Sequence, residues 1–313
     1  MRETAVRFGE GGGLAGIITE PAPGSAGAGL PAFVFLNAGV THRVGPSRVT
    51  VAMSRALAEL GFTTLRFDFS GIGDSSPRTD TLPLGQSLIA ETRQAMDALT
   101  ASHGVEQFVL GGICSGATLS FLTARDDERV VGGLLINAQG HLHGTDPVLS
   151  DRLRAATVSR HSWRMALKSS FRSKNWKKAL SGQLDPLRIL RMLFAAPLRL
   201  FSGSKGDKPD HWQGDEASAG HTRLDAGDEL AALAARKVRL FHLYCEADEG
   251  LDYFRLVLGK RLDALASSET ARHEVLLGAN HTFTMLWSQR RLVTVVCDWA
   301  AEFAGQNRAG ATK

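Results

Sequence analysis

A chain of 313 residues with 43% apolar and 22% charged residues has the makeup of a soluble globular protein, long enough for one large α/β domain or two smaller ones. Its three cysteines, Cys114, Cys245 and Cys297, are odd in number and far apart, which argues against a disulfide framework and for reduced thiols in the cytoplasm. No apolar run is long enough for a signal peptide at the N-terminus or for a membrane span of about 20 residues elsewhere, so secretion and membrane crossing are not expected.

Short β-branched apolar runs alternate with helical periodicity along the chain. Residues 4–8 and 14–19, split by the glycine-rich 9–13, read as an opening hairpin. Further strands are predicted at 32–36, 63–67, 107–110, 131–136, 238–244 and 272–277. Helices are predicted at 47–60, 84–102, 115–124, in a stretch after Tyr253, and at 285–303. This rhythm implies an eight-stranded, mostly parallel sheet with helices on both faces.

Between residue 144 and about 226 the rhythm breaks. The interval is helical by pattern and too long for a loop. Residues 152–208 carry 14 basic residues against Asp185 and Asp207, a charge of +12 that leaves −8 for the rest of a chain whose formal total is +4. We therefore expect a basic helical cap at 145–225, inserted into a core made of 1–144 and 226–313. Within it Leu187-Arg188-Ile189-Leu190-Arg191-Met192-Leu193-Phe194 reads as an amphipathic helix that Pro197 ends or kinks. Its apolar face either packs on the core or meets an acyl chain or lipid surface.

The chemistry concentrates in Leu110-Gly111-Gly112-Ile113-Cys114-Ser115-Gly116-Ala117. A sharp strand-to-helix elbow leaves no room for side chains two residues before and two after a nucleophile. Framed on Cys114, both positions are glycine, Gly112 and Gly116; framed on Ser115 they would be Ile113 and Ala117, which fits poorly. Two further groups follow later strands: the acidic stretch Cys245-Glu246-Ala247-Asp248-Glu249-Gly250 with Asp252 close by, and Gly278-Ala279-Asn280-His281-Thr282-Phe283. Gly71-Ile72-Gly73 lacks the third glycine of a dinucleotide fingerprint, since Ser76 stands there, and reads as a tight turn. His141 and His143 lack a nearby third ligand for zinc and read as pocket-rim residues. His42 and Arg43 either contact a substrate anion or lie in a solvated loop.

With these residues in the order nucleophile, acid, histidine, the chain resembles the α/β-hydrolase superfamily. The Gly-x-Cys-x-Gly elbow is similar to the dienelactone hydrolase branch. The stretches Asn37-Ala38-Gly39-Val40-Thr41-His42-Arg43-Val44-Gly45-Pro46 and Arg66-Phe67-Asp68-Phe69-Ser70-Gly71-Ile72-Gly73-Asp74-Ser75 are more similar to the exosortase-associated hydrolases. The resemblance implies an α/β-hydrolase fold with three catalytic groups on the loops at the carboxyl ends of the strands, and it puts the acid at Asp248, with Asp252 as runner-up and Glu246 and Glu249 as rivals.

The expected roles follow from chemical need. A thiol is mostly protonated at neutral pH and requires a base or a positive field, which His281 and the helix N-terminus at Ser115 supply. His281 takes the thiol proton and Asp248 holds the imidazole tautomer. The amides of Ser115 and Val40 meet the oxyanion. A cysteine nucleophile forms a thioester intermediate, and the basic cap suits an anionic donor. The expectation is a thioesterase or acyltransferase acting on acyl thioesters of coenzyme A or of an acidic acyl carrier protein, without a cofactor or metal. Peripheral membrane contact is a second use of the cap, and no nucleic-acid module is recognisable. The alternatives are a carboxylesterase or lactone hydrolase, and a catalytically silent module that binds a partner. Acyl chain length, acceptor and oligomeric state are not written in the sequence.

Overall fold

A computed structural model describes residues 1–25, 27, 29–139, 226–259 and 268–310, the side chains of 305–310 excepted. The cap expected at 145–225, and His141 and His143, lie outside the described residues. Eight strands form one sheet in the order β1-β2-β4-β3-β5-β6-β7-β8. The strands are β1 (Arg2–Phe8), β2 (Leu14–Glu20), β3 (Ala32–Leu36), β4 (Thr64–Asp68), β5 (Phe108–Ile113), β6 (Val130–Ile136), β7 (Arg239–Cys245) and β8 (Ala271–Leu276). Strand β2 runs antiparallel to β1 and β4, and every other pairing is parallel.

The central strands are near-continuous apolar runs because both faces of a parallel sheet are covered. Every residue of β3, β4 and β5 is buried. Alternation sorts them into two cores. Val34, Leu36, Leu110, Leu135 and Tyr244 pack on one face with α2 (Leu84–His103), α3 (Ser115–Asp126), α4 (Ala226–Ala235) and α5 (Glu249–Leu258). Phe33, Phe35, Val109, Leu134, Phe241 and Leu243 pack on the other with α1 (Val49–Glu59) and α6 (Leu286–Gly310). Trp299 of α6 anchors that second layer against Phe33 and Phe241. Full burial of a side chain of this kind contributes about 1.5–3 kcal/mol. No helix among the described residues is long and apolar enough to cross a membrane.

Three elements depart most from the expected boundaries, the first being α6, which runs to Gly310 where its end was expected at Phe303. The strand leading to the elbow runs to Ile113, three residues beyond its predicted end, because Gly111 and Gly112 pair with Phe35 and Leu36 on one side and Leu134 and Leu135 on the other. Helix α5 starts at Glu249 instead of after Tyr253, since the Asp248 carboxylate accepts from Gly250 N at 2.8 Å and caps the helix. Helix α4 was not among the expected elements. The parallel register decides the site: Leu36 lies beside Gly112, Ile113 beside Ile136, Ile136 beside Leu243, and Cys245 beside Leu276. The loops after β3, β5, β7 and β8 thus emerge at one edge of the sheet.

Candidate active site

Cys114 sits between β5 and α3 with φ 58° and ψ −118°, a conformation that a non-glycine residue adopts only when its surroundings hold it there. Its amide donates to Ile136 O at 2.9 Å, and its carbonyl accepts from Thr118 N at 3.1 Å. The flanking glycines are steric requirements. A Cβ on Gly112 would lie 2.5 Å from the Gly116 carbonyl carbon, and one on Gly116 would lie 2.6 Å from Asn37 O. The elbow lifts the thiol out at the positive end of α3, leaving Cys114 partly exposed.

His281 Nδ1 lies 2.5 Å from Asp248 Oδ2. Asp248 is buried, and its other oxygen takes the Gly250 amide, so both carboxylate oxygens are fixed. Among the four acids in this region, Asp248 is the one that reaches the imidazole. Glu246 accepts from Gly278 N at 3.0 Å and Glu249 from Gln139 Nε2 at 3.1 Å, while Asp252 lies one turn along α5. The His281 pKa is raised from its ordinary 6.5 to about 10 by the hydrogen bond with Asp248 first and that with Cys114 second, against burial, which works the other way. The imidazole is therefore bonded to the acid and within electrostatic reach of the thiol.

The loop after β3 closes the site from the opposite side. Gly39 N donates to Ser115 Oγ at 2.7 Å, which ties this loop to the start of α3. Val40 follows, 91% exposed. The Ser115 amide is a first-turn donor of α3, a group that no intrahelical carbonyl can satisfy. Ser47 Oγ also donates to Thr282 O at 3.2 Å, joining the loop to the His281 segment.

Arg43 does not stand open as a rim ligand. Its guanidinium pairs with the fully buried Asp68 and, at 2.5 Å, with Asp74, and its own amide donates to Asp68 Oδ1 at 2.5 Å. Burial pulls the Arg43 pKa down, but the bonds to Asp74 and Asp68 outweigh this and hold it above its ordinary value. His42 beside it is exposed. The turn at Gly71-Ile72-Gly73 wraps Asp68: a Cβ on Gly73 would lie 2.2 Å from Asp68 Oδ2.

Two residues were missed by the sequence reading. Asn37 Nδ2 donates to Thr41 O at 2.9 Å and to Asp68 Oδ1 at 3.3 Å, and its Oδ1 accepts from Phe69 N at 2.9 Å, so it frames the β3 loop. Asn137, at the end of β6, contacts both the β7 end and the His281 backbone. The available signal was the same in both cases: a lone amide side chain directly following an apolar strand.

A family model described as alpha/beta hydrolase fold matches residues 31–167. No curated protein sequence matches the chain. Among solved structures, it is similar to proline iminopeptidase from Mycobacterium smegmatis at 18% identity and TM-score 0.54, over 98% of this chain and 100% of that one. An esterase from Pyrococcus furiosus is 12% identical with TM-score 0.56, over 97% and 91%. A thermophilic esterase from Thermogutta terrifontis with malate bound is 16% identical with TM-score 0.53, over 97% and 100%. Strand order, topology and these matches define the class: the chain is an α/β-hydrolase-fold protein.

Proposed function

We propose that this protein is a cysteine-dependent acyl-transfer enzyme, a thioesterase or acyltransferase acting on acyl thioesters. The observation that carries the reading is a cysteine at the positive-φ elbow whose imidazole neighbour is bonded to a buried carboxylate. Cys114 Sγ attacks the thioester carbonyl, and the Ser115 and Val40 amides receive the oxyanion, each worth roughly 3 to 4 kcal/mol in such chemistry. The intermediate collapses by breaking the bond to the donor sulfur, which leaves with the proton that His281 took from Cys114. Water or another nucleophile then attacks the acyl-cysteine, giving its proton to His281 and restoring the thiol. Asp248 keeps the imidazole oriented and balances its charge throughout.

The +12 of residues 152–208 suits the anionic end of a coenzyme A or acyl-carrier donor. Oxygen-ester hydrolysis is compatible with the same machinery. Intact-protein mass spectrometry with acyl thioesters of varied chain length tests the reading: an acyl adduct on wild type, absent from Cys114→Ala, is expected. Wild type without an adduct on any donor, or with turnover of simple oxygen esters exceeding that of thioesters, overturns it, the latter in favour of a carboxylesterase.

A further inference from the structure

We infer that Asn137, together with the Cys245 thiol, is the positioning residue of His281, clamping its backbone so that the imidazole stays in line between Asp248 and Cys114. The inference rests on the function proposed above. It starts from where His281 is attached. Its loop follows β8, the last strand of the sheet, whose residues are mostly only half-buried. A loop at such an edge is the least constrained of those that build the site. A misplacement of about 1 Å in a reacting group costs on the order of a hundredfold in rate.

Asn137 adds an attachment from the middle of the sheet, beside those of Ser47 to Thr282 and of Glu246 to Gly278. It is fully buried at the end of β6 with φ 49°, a left-handed conformation that asparagine tolerates better than most residues. Its amide donates to Leu243 O at 2.8 Å. Side-chain Oδ1 accepts from Cys245 N at 2.8 Å, while Nδ2 donates to His281 O at 3.0 Å and to Cys245 Sγ at 3.3 Å. Both amide hydrogens and the carbonyl are thus engaged. Cys245, also fully buried, continues the chain of bonds by donating its thiol hydrogen to Asn280 O at 3.1 Å. Burial pushes the Cys245 thiol up to about 12, so it remains a donor and is no rival nucleophile. Two consecutive carbonyls, Asn280 and His281, are therefore pinned to β6 and β7.

The test uses Asn137→Gly, which keeps the backbone conformation and deletes the clamp, with Cys245→Ala and Cys245→Ser as a second pair. The His281 titration is followed by NMR, which needs no substrate, alongside steady-state turnover of an acyl thioester. Asn137→Gly is expected to bring the His281 midpoint down from about 10 by a unit or more. Its kcat should fall roughly 10- to 100-fold with KM little changed. Cys245→Ser, which keeps a donor, should match wild type, and Cys245→Ala should show a smaller loss of the same kind. Asn137→Gly that folds with an unmoved His281 titration and unmoved kcat overturns the inference, whatever its melting temperature. If Asn137→Gly does not fold, Cys245→Ala and Cys245→Ser both titrating like wild type overturns it instead. Failure of the proposed function is read separately, in wild type without an acyl adduct on Cys114.

Discussion

Two buried carboxylates near the carboxyl ends of strands in this sheet have opposite uses. Asp68, at the end of β4, is fully buried and takes the Arg43 amide and guanidinium, the Asn37 amide and, at 3.3 Å, the Asp74 N–H. Asp248, after β7, takes the Gly250 amide and the His281 imidazole. In both, one cation and one or more backbone amides replace the water a buried carboxylate has lost. The difference lies in the far side of the cation. Arg43 turns its other nitrogen to Asp74 and closes the circuit, whereas His281 continues to Cys114. A guanidinium cannot release its proton in this setting; an imidazole can. Burial of an acid alone therefore does not mark a catalytic group. What its partner can do next decides the matter.

Exchanging each acid for its amide tests this contrast most sharply. Asp248→Asn should lower kcat by about 10⁴-fold, because it favours the wrong imidazole tautomer while leaving packing intact. Asp68→Asn should instead cost about 3 kcal/mol of unfolding free energy, since it leaves the half-buried Arg43 with only the exposed Asp74 as a charged partner. Turnover of the folded fraction at low temperature should fall far less than in Asp248→Asn. Equilibrium denaturation and steady-state kinetics on both variants separate the outcomes. Equal kinetic losses would mean that Asp68 also serves the chemistry.

The sequence exposed one half of this comparison and hid the other. Cys114, Asp248 and His281 stand near glycines, at strand ends, in the order nucleophile, acid, histidine that the resemblance implies, and each has a local signature. Gly112 and Gly116 were legible because sterics act within five residues. The sheet was legible for a similar reason: β3 and β6 announce themselves as unbroken apolar runs. Asp68, Asn37 and Asn137 work mainly through partners 25 to 144 residues away, and no local pattern records such a pairing. Arg43 misled for the same reason, since an arginine beside an oxyanion loop looks free until Asp68 and Asp74 are brought to it. Helix α5 was placed late because its cap is Asp248, a residue already assigned to a different task.

The two pairs should also part company on an alkaline titration. His281 has its pKa raised from 6.5 to about 10 in the folded protein. A raised folded-state value means that the stabilisation is fully present below pH 6.5 and fades as pH climbs through about 10. Arg43 is held above its ordinary value by its two carboxylate partners, so its charge is kept throughout that window. Wild-type stability should decline between pH 6.5 and 10, and Asp248→Asn should flatten that slope while Asp68→Asn leaves it in place. An unchanged slope in Asp248→Asn would assign the alkaline loss to other groups.

The smallest effect is expected at Asp74→Ala, which opens the closed circuit from its outer side. Asp74 is 65% exposed in its side chain, so water and salt already compete for the Arg43 nitrogen it holds. Arg43 keeps its buried partner and its backbone bond to Asp68 after the change. The denaturation midpoint should shift little at low salt and not measurably at high salt, with kcat unchanged. If Asp74→Ala instead approached Asp68→Asn in cost, the surface carboxylate would be what seats Arg43. The contrast would then turn on an exposed gate instead of a buried anchor, because Asp68 could no longer hold its arginine unaided.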